Sequence, residues 1–260
     1  MRAAPPPPSV AAMTTRTALI TGASRGLGRA LAAGLAREGY ALIIDARDGT
    51  ALGAAAAQIT AAAQITAGAQ ITAGAPGAAV TAVPGDVTDP AHRAALRQAA
   101  AAAGGLDLLV NNAGTLGASP LPALADYPLA ELRAAFEVNV VAPLALTQLL
   151  LPMLRERGGA VLNITSDAAV EAYAGWGGYG AAKAALEQAS NVLAAEEVAI
   201  RVWWVDPGDL RTDMHQRAFP GQDISDRPLP ESVLPAFVRL VTDRLPNGRY
   251  RAAHLLPPRP

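Results

Sequence analysis

The stretch Thr17-Ala18-Leu19-Ile20-Thr21-Gly22-Ala23-Ser24-Arg25-Gly26-Leu27-Gly28 decides how this chain is built. Its first four residues form an apolar run short enough for one buried strand. Its last eight crowd three glycines into a turn that runs into a helix, Gly26 to Glu38, which Gly39 ends. Glycine lets a turn tighten and lets the backbone approach a bound group closely. The N-terminus of the following helix offers free N–H groups and a partial positive charge. A strand, a glycine turn and a helix in that order make a dinucleotide pyrophosphate the expected occupant.

The same alternation continues outward. Ala41 to Ile44, Ala79 to Val83, Leu106 to Val110, Ala160 to Ile164 and Ile200 to Val205 read as further buried strands, with Arg249 to Ala252 a short seventh. Helices are predicted over Leu129 to Arg157, bent at Pro143, and over Gly178 to Glu197. Short apolar runs between alanine-rich helices describe an α/β protein, a parallel sheet of about seven strands with helices on both faces. Between the second and third strands Gln-Ile-Thr recurs at 58–60, 64–66 and 70–72. Six residues turn a helix by about 600°, so Ile59, Ile65 and Ile71 would spread around it instead of forming a stripe. The insertion, about 51–78, is read as an expanded alanine-rich crossover helix or loop, with a partner-binding arm as the alternative.

The 260 residues are 51% hydrophobic and 17% charged, which suits one domain, placed at 16–253. A proline-rich, disordered tail is expected over 1–15 and a second tail over 254–260. Met1 to Ala12 lack the apolar stretch of a signal peptide, and Met13 is a second candidate start. The apolar region Val138 to Leu154 is interrupted by Asn139, Pro143, Thr147, Gln148 and Pro152, so it is read as a core helix and not a membrane span. A net charge of −1 gives no reason to expect nucleic acid or an anionic membrane as partner. There is no cysteine, and the three histidines, at 92, 215 and 254, are scattered, so no metal site is expected. A soluble, cytoplasmic protein is expected.

The second strand ends in Asp45-Ala46-Arg47. An acid there holds the ribose 2′-hydroxyl of NAD, and an arginine accommodates the 2′-phosphate of NADP. Arg47 is the better placed, and Arg25 in the glycine turn can clamp the same phosphate. Asp45 is read as pointing elsewhere or capping the next turn. NADP(H) is therefore the expected cofactor and NAD(H) the alternative. At the other end of the chain Tyr179 and Lys183, four residues apart, share one helix face. A phenol has a reference pKa of about 10. An ammonium beside it favours the phenolate, which suits a tyrosine that exchanges a proton with a carbonyl oxygen.

Taken together these motifs resemble the short-chain dehydrogenase/reductases, in their single-domain branch. Thr21-Gly22-x-x-x-Gly26-x-Gly28 is similar to the family's cofactor turn, and Ser24, Arg25 and Leu27 fall inside it. Asp86-Val87 resembles the pair that contacts the adenine, and Asn111-Asn112-Ala113-Gly114 the Asn-Asn-Ala-Gly signature. Asn139, Ser166, Tyr179 and Lys183 match the catalytic tetrad in order and spacing, and Pro207-Gly208 with Thr212 the nicotinamide-side loop. The resemblance spans about Arg16 to Met214. It implies a Rossmann-type doubly wound sheet and hydride transfer between nicotinamide and a small carbonyl or secondary alcohol. In that scheme Tyr179 is the general acid/base and Ser166 holds the carbonyl oxygen. Lys183 grips the nicotinamide ribose and depresses the pKa of Tyr179, and Asn139 positions a water that links Lys183 to solvent. Asn111 is expected to be structural, tying neighbouring strands.

The region from His215 onward departs from the family's common glycine-rich ending. A substrate loop is placed at about 213–231, and Asp167, Trp176, Asp209 and Met214 are candidate pocket residues. His215 is read as a surface residue, and Trp203 and Trp204 as core. The resemblance further implies a homodimer or homotetramer through the long helix and the tyrosine helix. Two other functions compete. One is a catalytically silent NAD(P)-binding sensor or scaffold of the same fold. The other is a sugar-nucleotide epimerase or dehydratase, for which there is little room after Met214.

Overall fold

The computed structural model describes residues 15–69 and 79–256. Most of the proline-rich tail (residues 1–14), the third Gln-Ile-Thr copy (70–72) and the last four residues lie outside them. Seven strands form one parallel sheet: β1 (Thr17–Ile20), β2 (Ala41–Ala46), β3 (Val80–Pro84), β4 (Leu108–Asn111), β5 (Ala160–Ile164), β6 (Arg201–Asp206) and β7 (Gly248–Arg251). Their order across the sheet is β3-β2-β1-β4-β5-β6-β7. The chain winds outward from β1 to one edge, returns to pair β4 with β1, and winds to the other edge. That makes the fold doubly wound and puts its switch point between β1 and β4, at the carboxyl ends of the strands.

Alternation along the strands divides the core in two. On one face Ala18, Ile20, Leu108 and Val110 pack against α1 (Gly26–Arg37), α2 (Gly49–Ala69) and, later in the chain, a helix at Leu234–Thr242. On the other, Leu19, Leu109, Val161 and Val202 pack against α3 (Pro90–Ala102) and the long helical stretch that follows β4. Leu52, Ala55, Ile59 and Ala63 are the buried residues of α2 among those described, so the first repeat isoleucine reaches the core.

The helix expected over 129–157 is three segments. α4 (Leu129–Phe136) passes through a π turn at Glu137–Val141 into α5 (Ala142–Arg157). The interruption is at Asn139, and Pro143 lies within the first turn of α5, where a missing N–H breaks no helical bond. The stretch Leu129–Arg157 is long and apolar enough to cross a membrane. Leu146, Leu150 and Leu154 are nevertheless buried against the sheet, as a core helix requires.

The remaining helices are α6 (Gly177–Glu196), α7 (Asp213–Ala218), α8 (Leu234–Thr242) and α9 (Ala252–Leu255). α3 and α8 are absent from the sequence reading. For α3 the signal was present: Asp89 caps it by accepting from Ala91 N, and Pro90 opens its first turn. Trp203 and Trp204 are both buried on β6. Leu255 packs into the core.

Candidate active site

The loops that leave the carboxyl ends of β1, β2 and β4 are tied to one another largely by hydrogen bonds between side chains and backbone. Thr21 Oγ1 accepts from the N–H groups of both Asn112 and Ala113, at 3.0 Å each. Asn112 Nδ2 donates back to Thr21 O at 2.8 Å. Gly22 has φ +67°, and a methyl there would come within 2.9 Å of Ala113 Cα. A methyl at Gly28 would strike Asn112 Nδ2 and Gly22 O. The turn therefore depends on glycine at these two positions to close against β4.

The same turn suits a pyrophosphate. Arg25, at the N-cap of α1, makes no side-chain cap, and the first turn of α1 carries no acid. No side chain of that turn takes its leading N–H groups. Leu27 is buried, and Ser24 is half-buried. From the far side the loop after β6 reaches over. Thr212 caps α7 through His215 N at 3.2 Å, and its methyl lies 3.5 Å from where a Gly26 side chain would begin. Arg25 pairs with Asp213 at 3.1 Å, both exposed. Gly208 in this loop has φ +77° after Pro207, and Asp206 accepts from its N–H.

At the end of β2, Arg47 is exposed, whereas Asp45 is only 1% exposed. Asp45 Oδ1 accepts from Gly22 N at 2.7 Å, and Oδ2 meets His92 Nε2 at 3.0 Å. The acid does point away from the solvent-facing ribose end. Asp86 accepts from Thr88 N and Thr88 Oγ1, and those bonds with the nearby Arg47 charge leave its carboxyl below the usual range despite the opposing effect of burial. Val87 beside it is buried.

The tetrad residues are contributed by the loop after β5, α6 and the π turn. Tyr179 and Lys183 are both buried on α6. Burial, with the charges of Asp206 and Asp167, pushes the Tyr179 phenol above its ordinary value, while a hydrogen bond from Ser166 works the other way. Lys183 Nζ lies 5.6 Å from the phenol ring centroid and donates to Ile164 O at 2.8 Å. Burial also pulls the Lys183 ammonium itself down to about 8.

Asn139 is fully buried and commits both ends of its amide to Thr115, accepting from its N at 2.9 Å and donating to its O at 2.8 Å. Its side chain thus holds the strand-β4 loop, and a methyl on Gly114 would press on its Oδ1 at 3.0 Å. Asn111 does tie strands: its Nδ2 donates to Asn163 Oδ1 at 2.8 Å, across the β4–β5 register pair.

Around Tyr179 the four candidate pocket residues divide. Trp176 meets the Tyr179 ring edge-on at 5.8 Å and Phe219 at 6.0 Å, and Met214 packs on the same cluster. Asp167 accepts from Ser166 Oγ at 2.9 Å and from Tyr173 Oη at 3.0 Å. Asp209 lies instead in an ion pair with Arg227 at 3.5 Å. His215 is buried and stacked on Phe219 at 4.9 Å, not on the surface as its polarity had suggested.

The family model for short chain dehydrogenases matches residues 16–223. The chain belongs to this family. Within it, the 1-deoxy-11-beta-hydroxypentalenate dehydrogenase of Streptomyces exfoliatus is 35% identical over 209 residues, covering 78% of this chain and 70% of the relative. The solved structure of the oxidoreductase yciK from Escherichia coli superposes with a TM-score of 0.80 at 30% identity, covering 91% of this chain and 94% of that one. A short chain dehydrogenase from Escherichia coli CFT073, solved in complex with NADPH, gives a TM-score of 0.79 at 30% identity, with 91% and 96% covered. The short chain dehydrogenase fold read from the glycine turn is thus the fold of the whole described chain.

Proposed function

We propose that this short chain dehydrogenase is an NADP(H)-dependent oxidoreductase that moves a hydride between the nicotinamide and a small carbonyl compound or secondary alcohol. The observation that carries the reading is the burial of Tyr179 and Lys183 together, one helical turn apart on α6, with Ser166 beside the phenol. The bound cofactor supplies or takes the hydride. Tyr179, kept protonated by burial, has a proton to give to a carbonyl oxygen. Ser166 now donates to Asp167, and rotation about its C–O bond turns that hydrogen toward a substrate oxygen. Lys183 would hold the nicotinamide ribose, and the leading N–H groups of α1 the pyrophosphate. Trp176, Met214 and Phe219 give the substrate an apolar flank.

NADP(H) is favoured over NAD(H) for two reasons beyond the NADPH-bound neighbour. Asp45, the acid that would take a ribose 2′-hydroxyl, has both oxygens engaged beneath the turn. Arg47 stays exposed at the same strand end for a 2′-phosphate. The same proposal includes a single catalytic unit over about 16–253, acting in the cytoplasm. It also includes pairing of subunits through the long helical stretch and α6, on which Val141, Leu144 and Val192 are exposed.

Titration of the purified protein with NADPH and NADH, followed by nicotinamide fluorescence, tests the reading, with aldehydes, ketones and quinones then added as substrates. Tight NADPH binding with carbonyl-dependent oxidation is expected. Binding without turnover across the whole panel would favour the silent sensor, and no binding of either nucleotide would overturn the proposal.

A further inference from the structure

Beneath the glycine turn lies a buried acid–base pair that the chemistry above does not use. Asp45 is 1% exposed and His92 7% exposed. His92 stands near the start of α3, where His92, Leu96 and Ala100 are the buried positions, so its ring is turned under the sheet edge. The ring fits because residue 85 is glycine: any side chain there would overlap the imidazole. Nε2 lies 3.0 Å from Asp45 Oδ2, within hydrogen-bonding distance. Asp86 and, beyond it, Arg47 are the other charged groups that face the pair.

Asp45 in turn holds the turn above it at two consecutive residues. Its carboxylate Oδ1 accepts from Gly22 N at 2.7 Å, and its backbone O accepts from Ala23 N at 2.8 Å. Gly22 O then receives Asn112 Nδ2 at 3.2 Å, which carries the connection to β4. A carboxylate with one oxygen on a backbone N–H and the other on an imidazole cannot rotate without losing both bonds. His92 therefore fixes the orientation of Asp45, and Asp45 fixes the first two residues of the turn.

We propose that His92 and Asp45 form a positioning relay that holds the glycine turn in the conformation that binds the dinucleotide pyrophosphate, which makes His92 a determinant of cofactor affinity from 70 residues away in sequence. The inference rests on the reading of this site as a dinucleotide site. Because the pyrophosphate is common to both nucleotides, the relay acts on NADPH and NADH alike. Its effect is thereby distinct from that of Arg47, which bears on the 2′-phosphate alone.

Three variants test it: His92→Leu, His92→Gln and the double variant Asp45→Val/His92→Leu. Each is titrated with NADPH and with NADH by fluorescence, and its melting temperature is measured without nucleotide. His92→Leu is expected to weaken both nucleotides by the same factor, roughly ten- to a hundredfold, the worth of a hydrogen bond to a charged group. In steady state the KM for the cofactor rises and kcat at saturating cofactor stays. His92→Gln, which keeps an N–H donor, restores most of the affinity. The double variant removes the unpaired buried charge and regains melting temperature, yet still binds both nucleotides weakly, which a merely structural pair would not do. Recovery of affinity along with melting temperature in the double variant, or a loss confined to NADPH, would overturn the relay. Unaltered affinity in His92→Leu would do so as well. If the unaltered protein binds neither nucleotide, it is the dinucleotide reading that fails. If it binds and the variants bind equally well, only the relay fails.

Discussion

Asn139, itself fully buried, and the half-buried Thr115 exchange two hydrogen bonds, amide to backbone, at 2.9 and 2.8 Å. The π turn at Glu137–Val141 presents Asn139 to the loop after β4, and that loop carries Asn112 to Gly114 past the end of β1. Loss of the amide leaves the half-buried N–H and C=O of Thr115 without their protein partner. Asn139→Ala is therefore expected to lower unfolding free energy in urea by about 1–3 kcal/mol and to weaken cofactor binding. An unchanged urea midpoint would show that the pair does not brace the loop.

Tyr179→Phe removes the proton donor and little else, since the ring packs against Trp176. Cofactor affinity should be retained while kcat for carbonyl reduction falls by about two to four orders of magnitude, the usual worth of a positioned acid. The pH dependence follows from the raised phenol. The acid form of Tyr179 persists through the neutral range, so reduction at saturating NADPH is flat there. Alcohol oxidation needs the phenolate and climbs with pH. A steep fall in reduction across the neutral range would remove Tyr179 as the acid.

Lys183 gives a stability signature. Its pKa is about 8 in the fold, against 10.5 for the free side chain, because burial penalises the ammonium. Below 8 both states are protonated and the folded state bears the full cost, about 3 kcal/mol from the size of the shift. Between 8 and 10.5 the unfolded chain holds the proton longer, so stability rises with pH. Unfolding free energy measured at both ends of this window should rise more in the unaltered protein than in Lys183→Met. Equal pH profiles would show that the lysine is not buried as an ammonium.

The parts of this site that were legible in sequence are those set by spacing along one element. Tyr179 and Lys183 are one helical turn apart, and the glycine turn follows β1 directly, so the pattern alone placed them. Asp45 could be read as turned away from the ribose, but its partner could not, because His92 comes from a helix the sequence reading passed over. The period His92, Leu96, Ala100 was a signal for that inward face. His215 looked like a surface residue by polarity, and only packing against Phe219 buries it. The burial that raises the Tyr179 phenol is likewise a property of the assembled core, which the spacing of Tyr179 and Lys183 along one helix does not reveal.

In the proposed reading Arg47 selects between the two nucleotides. It is the exposed cation at the end of β2, next to a carboxylate, Asp45, that is spent on Gly22 and His92 and so can neither accept from a 2′-hydroxyl nor repel a 2′-phosphate from the surface. Arg47→Asp replaces attraction for the 2′-phosphate with repulsion and supplies an acceptor for a 2′-hydroxyl. NADPH affinity should fall by roughly ten- to a hundredfold, the worth of a charge-assisted hydrogen bond, while NADH affinity holds or improves. Arg25 is paired with Asp213 and exposed, so Arg25→Ala should have the smaller effect on the ratio of the two affinities. Fluorescence titration of both nucleotides against each variant measures that ratio directly. Equal losses for NADPH and NADH in Arg47→Asp would mean that the 2′-phosphate is read elsewhere.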